Sequence, residues 1–278
     1  MARGAPGVRA VALRIATGLA AGVMLALLAL PLAALLLRVP PERMLARIGE
    51  PVVLAALRLS LITSLAATAL VVVLGLPLAW LLATHTFRGK RALELLVDLP
   101  MVLPPTVAGL ALLLAFGRAG LAGRALSACG VTLPFTTAGV IVAQVFMSAP
   151  FFIVPARAGL ASVERRYVDA AATLRADPIR TFFHVLLPLA RPSLLASVAM
   201  SGARALGEFG ATITFAGNLP GTTQTMPLAV YLALQTDLQA AVTLSVMLVI
   251  LSMALLLGLR AVPTHALWRP SDAARASR

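Results

Sequence analysis

The residues best suited to chemistry in this chain are two opposite charges, Arg204 and Glu208, set one helical turn apart inside an apolar stretch. Side chains four residues apart on a helix are neighbours, so this spacing predicts an ion pair. A charge in an apolar medium is costly unless it is paired or hydrated, so the pair is expected to face the protein interior. Gly207 and Gly210 beside it would let neighbouring helices approach closely.

Other reactive side chains are scattered and form no catalytic pattern. His85, His184 and His265 lie far apart in sequence, so surface histidines are expected rather than metal ligands. The run Gly89-Lys90-Arg91 lacks the first glycine and the hydroxyl residue of a phosphate-binding loop. Cys129, the single cysteine, cannot form an intrachain disulfide. We therefore expect a chain that is not an enzyme and that itself binds no metal or cofactor.

The elements that hold these residues are predicted to be membrane helices. The chain is 60% hydrophobic and 12% charged with a mean hydropathy of +0.97, whereas a soluble domain of 278 residues needs more polar residues to cover its surface. A bilayer core needs about 20 apolar residues per helix. We predict an all-α polytopic membrane protein, one transmembrane domain over 1–278 with six spans. The predicted spans are 15–37, 59–83, 99–116, 135–154, 193–216 and 240–259.

Positive charge is distributed unevenly between the two sides of these spans. The apolar core 15–37 exceeds the roughly 7–15 residues of a secretory leader core, so it is expected to remain as a span. Six spans put both termini on one side, and that side carries Arg3, Arg9, Arg14, Arg88, Lys90, Arg91, Arg157, Arg165, Arg166, Arg175, Arg180, Arg191, Arg260, Arg269, Arg275 and Arg278. The other side carries Arg38, Arg43, Arg47, Arg118 and Arg124. This bias predicts that 1–14 and the tail 261–278 are cytoplasmic, and it explains the net charge of +13 without nucleic acid.

A basic segment, 157–191, separates the fourth and fifth spans and shows two helical periods. The first is predicted to begin at a Ser162 cap. The residues that share one face of this helix would be Val163, Tyr167, Ala170, Ala171 and Leu174. The second begins with Asp177 as N-cap and Pro178 in the first turn. Its apolar positions are Ile179, Phe182, Phe183, Leu186 and Leu187. Such a helix pair could dock on another protein or rest on anionic lipid, and periodicity leaves both open.

Part of this segment resembles a known motif. Asp169-Ala170-Ala171, followed by Val185-Leu186-Leu187-Pro188, is similar to the Glu-Ala-Ala loop of ABC importer permeases, which docks into the ATPase subunit. Asp169 stands where that family usually has glutamate, which shortens the carboxylate arm and keeps its charge. Arg175 stands where the family usually has glycine, and arginine resists the positive φ of a tight turn. The boundary at Asp177-Pro178 could make the turn instead.

Four further motifs occur in the order found in ABC permeases for oxyanions. They lie at 75–79, 99–106, 204–212 and 216–228. Together with the loop they are most similar to the molybdate permeases, and the resemblance covers about 54–260. It implies a multi-pass protein of the bacterial-type cytoplasmic (inner) membrane. Sulfate or tungstate remains an alternative substrate, since all three anions are tetrahedral dianions.

The resemblance also implies partners and residue roles. The partners are a second copy of the chain, two cytosolic ABC ATPase subunits that hold ATP and magnesium, and an extracytoplasmic molybdate-binding protein; nucleic acid is not among them. The residues that couple to the ATPase would be Tyr167, Asp169, Ala170, Ala171, Leu174, Arg175, Leu187 and Pro188. The residues that line the translocation pathway would be Thr106, Arg204, Gly207, Glu208, Phe209, Gly210 and Thr212.

Other classes of membrane protein explain less of the sequence, and a structural membrane anchor would account for the spans and the basic loops but not for the ordered motifs. A secondary transporter or channel would need no ATPase. The spans hold almost no carboxylate besides Glu208, and no internal repeat is visible, which speaks against a proton-coupled carrier. The Arg204–Glu208 pair could also serve helix packing alone. We expect packing and pathway lining together, without a dedicated ion-binding site.

Overall fold

The structure is a computed structural model that describes residues 8–260 except 41, 43 and 45–48. The predicted cytoplasmic tail 261–278, which contains His265, lies outside the described residues, as do 1–7, Arg43 and Arg47. The principal helices follow in chain order. They are α1 Val8–Leu37, α2 Pro51–Thr84, α3 Lys90–Val102, α4 Pro105–Phe116, α5 Gly123–Ala128, α6 Thr137–Ala161, α7 Arg165–Thr173, α8 Pro178–Leu206, α9 Gly210–Ala216, α10 Met226–Thr236 and α11 Leu238–Arg260. The predicted all-α membrane fold is confirmed.

Five of these helices, α1, α2, α6, α8 and α11, are long and apolar enough to cross a membrane, and α3 with α4 makes a sixth if the bent pair counts as one span. The predicted third span, 99–116, is not one straight helix. The chain bends by 120° between α3 and α4. The cause is local, because Pro104 and Pro105 have no N–H to donate and each restricts the residue before it.

The predicted fifth span, 193–216, also has different limits. Helix α8 begins much earlier, at Pro178, and contains a π-helical turn at Phe182–Leu186. It ends at Leu206, and a separate helix, α9, starts at Gly210. The break after Val102 and the break after Leu206 both lie within stretches that are apolar overall, so hydropathy alone could not locate them.

The packed core centres on α2, α6 and α8. Phe152, Leu160 and Leu186 belong to one apolar cluster shared by α6 and α8 with α2. A second cluster joins α4 and α6 to α9, and a third joins α10 and α11 to α2. Helix α1 touches α11 and leaves its apolar side chains exposed, with Leu25 at 65% exposure. The protein surface along the spans is thus apolar, as a bilayer requires.

The short helices α4 and α9 pack through glycine. A Cβ on Gly109 would lie 2.7 Å from the carbonyl oxygen of Ala211, and a Cβ on Gly210 would lie 2.6 Å from Cβ of Pro105. At a rise of about 1.5 Å per residue, neither helix reaches across a bilayer core of about 30 Å. The two helices therefore form a pair of half-spans whose backbones are almost in contact.

Candidate functional site

Helix α7 is the first of the two helices predicted in the basic segment, but Ser162 does not cap it. The Ser162 hydroxyl donates to the carbonyl of Gly159 at 2.8 Å and so closes the end of α6. The residue at the N-cap of α7 is Glu164, whose side chain accepts no capping hydrogen bond. The predicted cap at Asp177 is confirmed, since its carboxylate accepts from the backbone N–H of Arg180 at 2.7 Å.

The turn after α7 is made at Arg175 itself, with φ at 56°. The N–H of Ala176 donates to the carbonyl of Ala171 at 3.0 Å, and the N–H of Arg175 donates to that of Ala172 at 2.9 Å. This is the Schellman pattern, whose left-handed position usually holds glycine. Arginine there costs about 1–2 kcal/mol. Of the two positions that the sequence left open, the turn is at Arg175 and not at the Asp177-Pro178 boundary.

Helix α7 buries only part of its predicted apolar face against the rest of the protein. Ala171 is buried, and Val163 and Val168 pack on the core of α2, α6 and α8. Tyr167 and Leu174, on the same predicted face and also predicted to couple to a partner, are exposed, and Leu174 is 83% exposed. Three other residues predicted to couple to a partner, Asp169, Ala170 and Arg175, are exposed as well.

The start of α8 is apolar on two sides. Phe182 and Leu186 are buried, and the Phe182 ring lies 4.5 Å from the Trp80 ring of α2. Ile179 and Phe183 are 64% and 56% exposed. The π turn changes the helical period, so five apolar residues predicted on one face lie on two. Of the remaining coupling residues, Leu187 packs partly on the core and Pro188 is exposed.

Four large side chains thus form an exposed apolar set on α7, on the turn that follows it and on the start of α8. They are Tyr167, Leu174, Ile179 and Phe183. Arginines surround them. The hydrogen bond to the Tyr167 hydroxyl and the nearby charge of Glu164 raise the pKa of the Arg166 guanidinium above its ordinary value. A basic surface with exposed apolar side chains is suited to binding another macromolecule.

An ion pair not foreseen from the sequence ties this region to α3. Arg157 Nη1, near the end of α6, lies 2.7 Å from Glu94 Oε1. Both side chains are about a quarter to a third exposed, so the pair holds two helices in register and contributes modestly to stability. Their separation of more than sixty positions in sequence left no local spacing that could have predicted it.

The ion pair predicted inside the membrane is present. Arg204 Nη1 lies 2.5 Å from Glu208 Oε2, and the Glu208 side chain is 1% exposed. The other carboxylate oxygen accepts from the backbone N–H of Ala211 at 2.8 Å. Because α8 ends at Leu206, the pair does not lie within one helix as expected. Glu208 instead connects the end of α8 to the first turn of α9.

The other predicted pathway residues lie around this break. Gly210 is buried beside Pro105, and its Cβ would come 3.4 Å from the backbone nitrogen of Thr106, which is exposed. The Phe209 ring lies 5.0 Å from that of Tyr231, Gly207 is exposed and Thr212 is fully buried. The structure therefore brings the start of α4 together with the α8–α9 break. Their role in a pathway remains a prediction.

Two buried polar residues on α6 were not singled out from the sequence. Gln144 and Ser148 are fully buried, and neither the Gln144 amide nor the Ser148 hydroxyl has a hydrogen-bond partner. The hydroxyl of Thr212 on α9 is likewise unpartnered. Their spacing of one helical turn within an apolar span was the available indication. We call Gln144, Ser148 and Thr212 the buried donor set.

These features fit what comparison with known proteins shows. The family model described as "Binding-protein-dependent transport system inner membrane component" matches residues 75–262, which include the helix pair α3–α4, the basic segment and the α8–α9 break. The chain belongs to this family. It is an ABC importer permease, a transport component of the inner membrane with several membrane helices.

Several relatives have related names. The molybdenum transport system permease protein of Mycobacterium tuberculosis is 44% identical, over 84% of this chain and 88% of that protein. The protein of that name from Escherichia coli strain K12 is 43% identical, over 56% of this chain and 69% of its own length. A probable sulfate transport system permease protein of Nephroselmis olivacea is 34% identical, over 85% and 84%.

Solved structures share the fold. A bacterial ABC transporter that imports the acidic polysaccharide alginate matches with a TM-score of 0.73 at 15% identity, over 89% of this permease and 93% of that chain. The methionine ABC transporter matches at 0.58 and 20% identity, over 84% and 98%. At these identities the likeness shows the shared fold alone and says nothing of the cargo.

Proposed function

We propose that this permease is the transmembrane subunit of an ATP-driven importer whose cargo is molybdate. The molybdenum permeases that it resembles at 43–44% identity support this assignment. Two copies would form the pathway, each a single domain with both termini in the cytosol. A binding protein outside the membrane would deliver the anion. The probable sulfate permease at 34% identity makes sulfate the main alternative, and tungstate has the same shape and charge.

The observation that carries the coupling mechanism is the exposed apolar set. Leu174 is 83% exposed and Ile179 is 64% exposed. These side chains contribute little hydrophobic stabilisation unless another surface covers them. A groove on a cytosolic ATPase subunit would cover them, with Asp169 and Ala170 at its rim. ATP and magnesium would be held by that subunit, since this chain offers no phosphate-binding loop.

Movement at that surface has a physical route into the membrane. Val168 and Ala171 attach α7 to the core, and Phe182 stacks on Trp80 of α2. The Arg157–Glu94 pair adds a link to α3. When ATP closes the ATPase dimer, the two loops would move together and carry these helices with them. This couples nucleotide and loaded binding protein through one two-state element.

In the pathway, the Arg204–Glu208 pair would keep the local charge near zero. A free carboxylate would repel a dianion, whereas a free guanidinium would hold it and slow its release. The Glu208 carboxylate is neutralised by Arg204 and also accepts from Ala211, so neither charge is left over. The anion would therefore pass without tight binding, and selectivity would rest mainly with the binding protein.

Copurification tests the coupling surface. The tagged permease, coexpressed with its candidate ABC ATPase subunit, is expected to retain that ATPase in stoichiometric amount, and Leu174→Asp is expected to release it. Leu121→Asp is the matched control, because Leu121 is also exposed, at 96%, but lies in the loop between α4 and α5 on the predicted outer side. Equal recovery of ATPase with Leu174→Asp would contradict docking at this surface.

Substrate choice is tested with the reconstituted complex. ATP hydrolysis is measured with binding protein loaded with molybdate, tungstate or sulfate, or left empty. Stimulation by the molybdate-loaded protein at lower concentration than by the sulfate-loaded one supports the assignment. The reverse order would make this a sulfate importer.

A further inference from the structure

Packing does not explain why the residues of the buried donor set are polar. Gln144, Ser148 and Thr212 are fully buried, and both polar atoms of the Gln144 amide and both hydroxyls are unpartnered. A buried polar group without a partner costs about 1–3 kcal/mol, whereas an apolar residue of the same shape costs nothing of this kind. Four such atoms in adjoining helices therefore weaken this state of the protein. A second state in which they bind something would give them a use.

The three residues converge on the break between α8 and α9. The Ser201 hydroxyl of α8 donates to the carbonyl of Ser148 at 3.2 Å, which fixes the register of α6 against α8. Helices α6 and α8 are antiparallel, because Gly159 lies beside Ser193 and Ser148 beside Ser201, so Gln144, one turn before Ser148, lies nearer to the end of α8. Its neighbour Ala143 and the next-turn Met147 pack in one apolar cluster with α9. Thr212 is on α9 itself, directly after a residue of that cluster.

We propose that the buried donor set forms a transient hydrogen-bonding site for the oxyanion, opened when α9 separates from α6. The proposal rests on the proposed function and names residues that contact its cargo. The amide supplies two N–H donors and each hydroxyl supplies one, all without charge. Neutral donors suit the oxygens of a tetrahedral dianion and bind it less tightly than arginine does.

The surrounding residues fit such an opening. The backbone between α8 and α9 is not helical from Gly207 to Phe209, so it can act as a hinge for a helix of seven residues. The α4–α9 contact is closest at Gly109 and Gly210, which have no side chains, and the side chains of Leu112 and Phe215 pack beside it and would have to separate. The Glu208 carboxylate binds the N–H of Ala211, directly before Thr212, and Arg204 compensates its charge there.

The test uses the complete complex in proteoliposomes with molybdate-loaded binding protein. Gln144→Met and Thr212→Val replace the donors by apolar groups of similar size. Loss of a hydrogen bond to a charged group predicts a fall in uptake per ATP hydrolysed of about tenfold for each variant. The midpoint of thermal unfolding is expected to stay the same or rise, because an unpartnered polar group has been removed.

Ser197→Ala is the matched control. Ser197 is equally buried on α8, but its hydroxyl donates to the carbonyl of Ser193 in its own helix at 2.7 Å, so uptake should be unchanged. Normal uptake in both donor variants would overturn the proposal, as would a loss of uptake matched by a fall in thermal stability, which marks a structural role. If the unaltered complex takes up neither molybdate, tungstate nor sulfate, the proposed function itself fails and the site with it.

Discussion

Glu208 joins two helices by binding Arg204 with one carboxylate oxygen and the N–H of Ala211 with the other. With 1% of its side chain exposed, this carboxylate is stabilised by these partners and not by water. The pair therefore has a structural part that can be measured separately from transport. It holds the end of α8 against the start of α9 at the place where the predicted span breaks.

Removing Arg204 alone should lower the stability of the permease severely. Arg204→Met leaves the buried Glu208 carboxylate without its counter-charge, and such a loss costs about 3–5 kcal/mol. Thermal unfolding of the purified permease measures it. Arg204→Met combined with Glu208→Gln should recover most of the stability, because no charge is then left unpaired. An Arg204→Met variant as stable as the unaltered protein would show that water reaches the Arg204–Glu208 pair.

Replacing Arg175 by glycine should strengthen the turn after α7. Glycine adopts φ near 56° without the steric cost that arginine bears, so Arg175→Gly is expected to stabilise the loop by about 1 kcal/mol. Hydrogen exchange of the α7 backbone amides should slow by about fivefold. Arg180→Gly is the control, since Arg180 is helical and glycine there should cost about 1 kcal/mol. Faster exchange in Arg175→Gly would contradict the left-handed turn.

Uncoupling should follow from a change on the exposed side of α7. Asp169→Arg reverses a charge that is exposed, so insertion and folding should be normal while uptake per ATP hydrolysed falls severely. Ala170→Leu should act similarly, because Ala170 is exposed where a partner backbone would approach. Ala171 is buried against the core, so a large residue there would disturb α7 directly and report on stability instead. Normal uptake with Asp169→Arg would remove this helix from the coupling surface.

The α4–α9 contact should tolerate no side chain at Gly109. A Cβ at this position meets the carbonyl oxygen of Ala211 at 2.7 Å, so Gly109→Ala must push two backbones apart. Overpacking of this kind typically costs about 1–3 kcal/mol. Gly258→Ala is the control, since nothing lies within 4 Å of its Cβ position. Equal thermal stability of the two variants would contradict the close contact.

Hydropathy predicted most of the fold because span length and apolar composition are local properties. It placed α1, α2, α6 and α11 within several residues of their limits. It missed the breaks after Val102 and Leu206, where apolar residues continue on both sides and only backbone geometry changes. The Asp177 cap was predictable because cap and helix are adjacent. The role of Ser162 was not predictable, because it lies between α6 and α7 and its hydroxyl could hydrogen-bond to either helix.

In the candidate sites, too, local features could be predicted from the sequence and tertiary contacts could not. The spacing of Arg204 and Glu208 predicted their pairing, but not that Glu208 also binds α9. Periodicity placed Leu174 on the same face as Ala171, but it could not show that Ala171 is buried while Leu174 is exposed. Gln144 and Thr212 lie on different helices, so their proximity to one break depends on the tertiary fold.

The most direct test of the account is uptake of labelled molybdate into proteoliposomes that contain the permease, with its ATPase facing a supply of ATP and the loaded binding protein on the other side. We predict uptake that requires ATP, the ATPase and the binding protein together, and that Asp169→Arg abolishes while ATP hydrolysis continues. Uptake by the permease alone, driven by an ion gradient or by the molybdate gradient itself, would contradict the account.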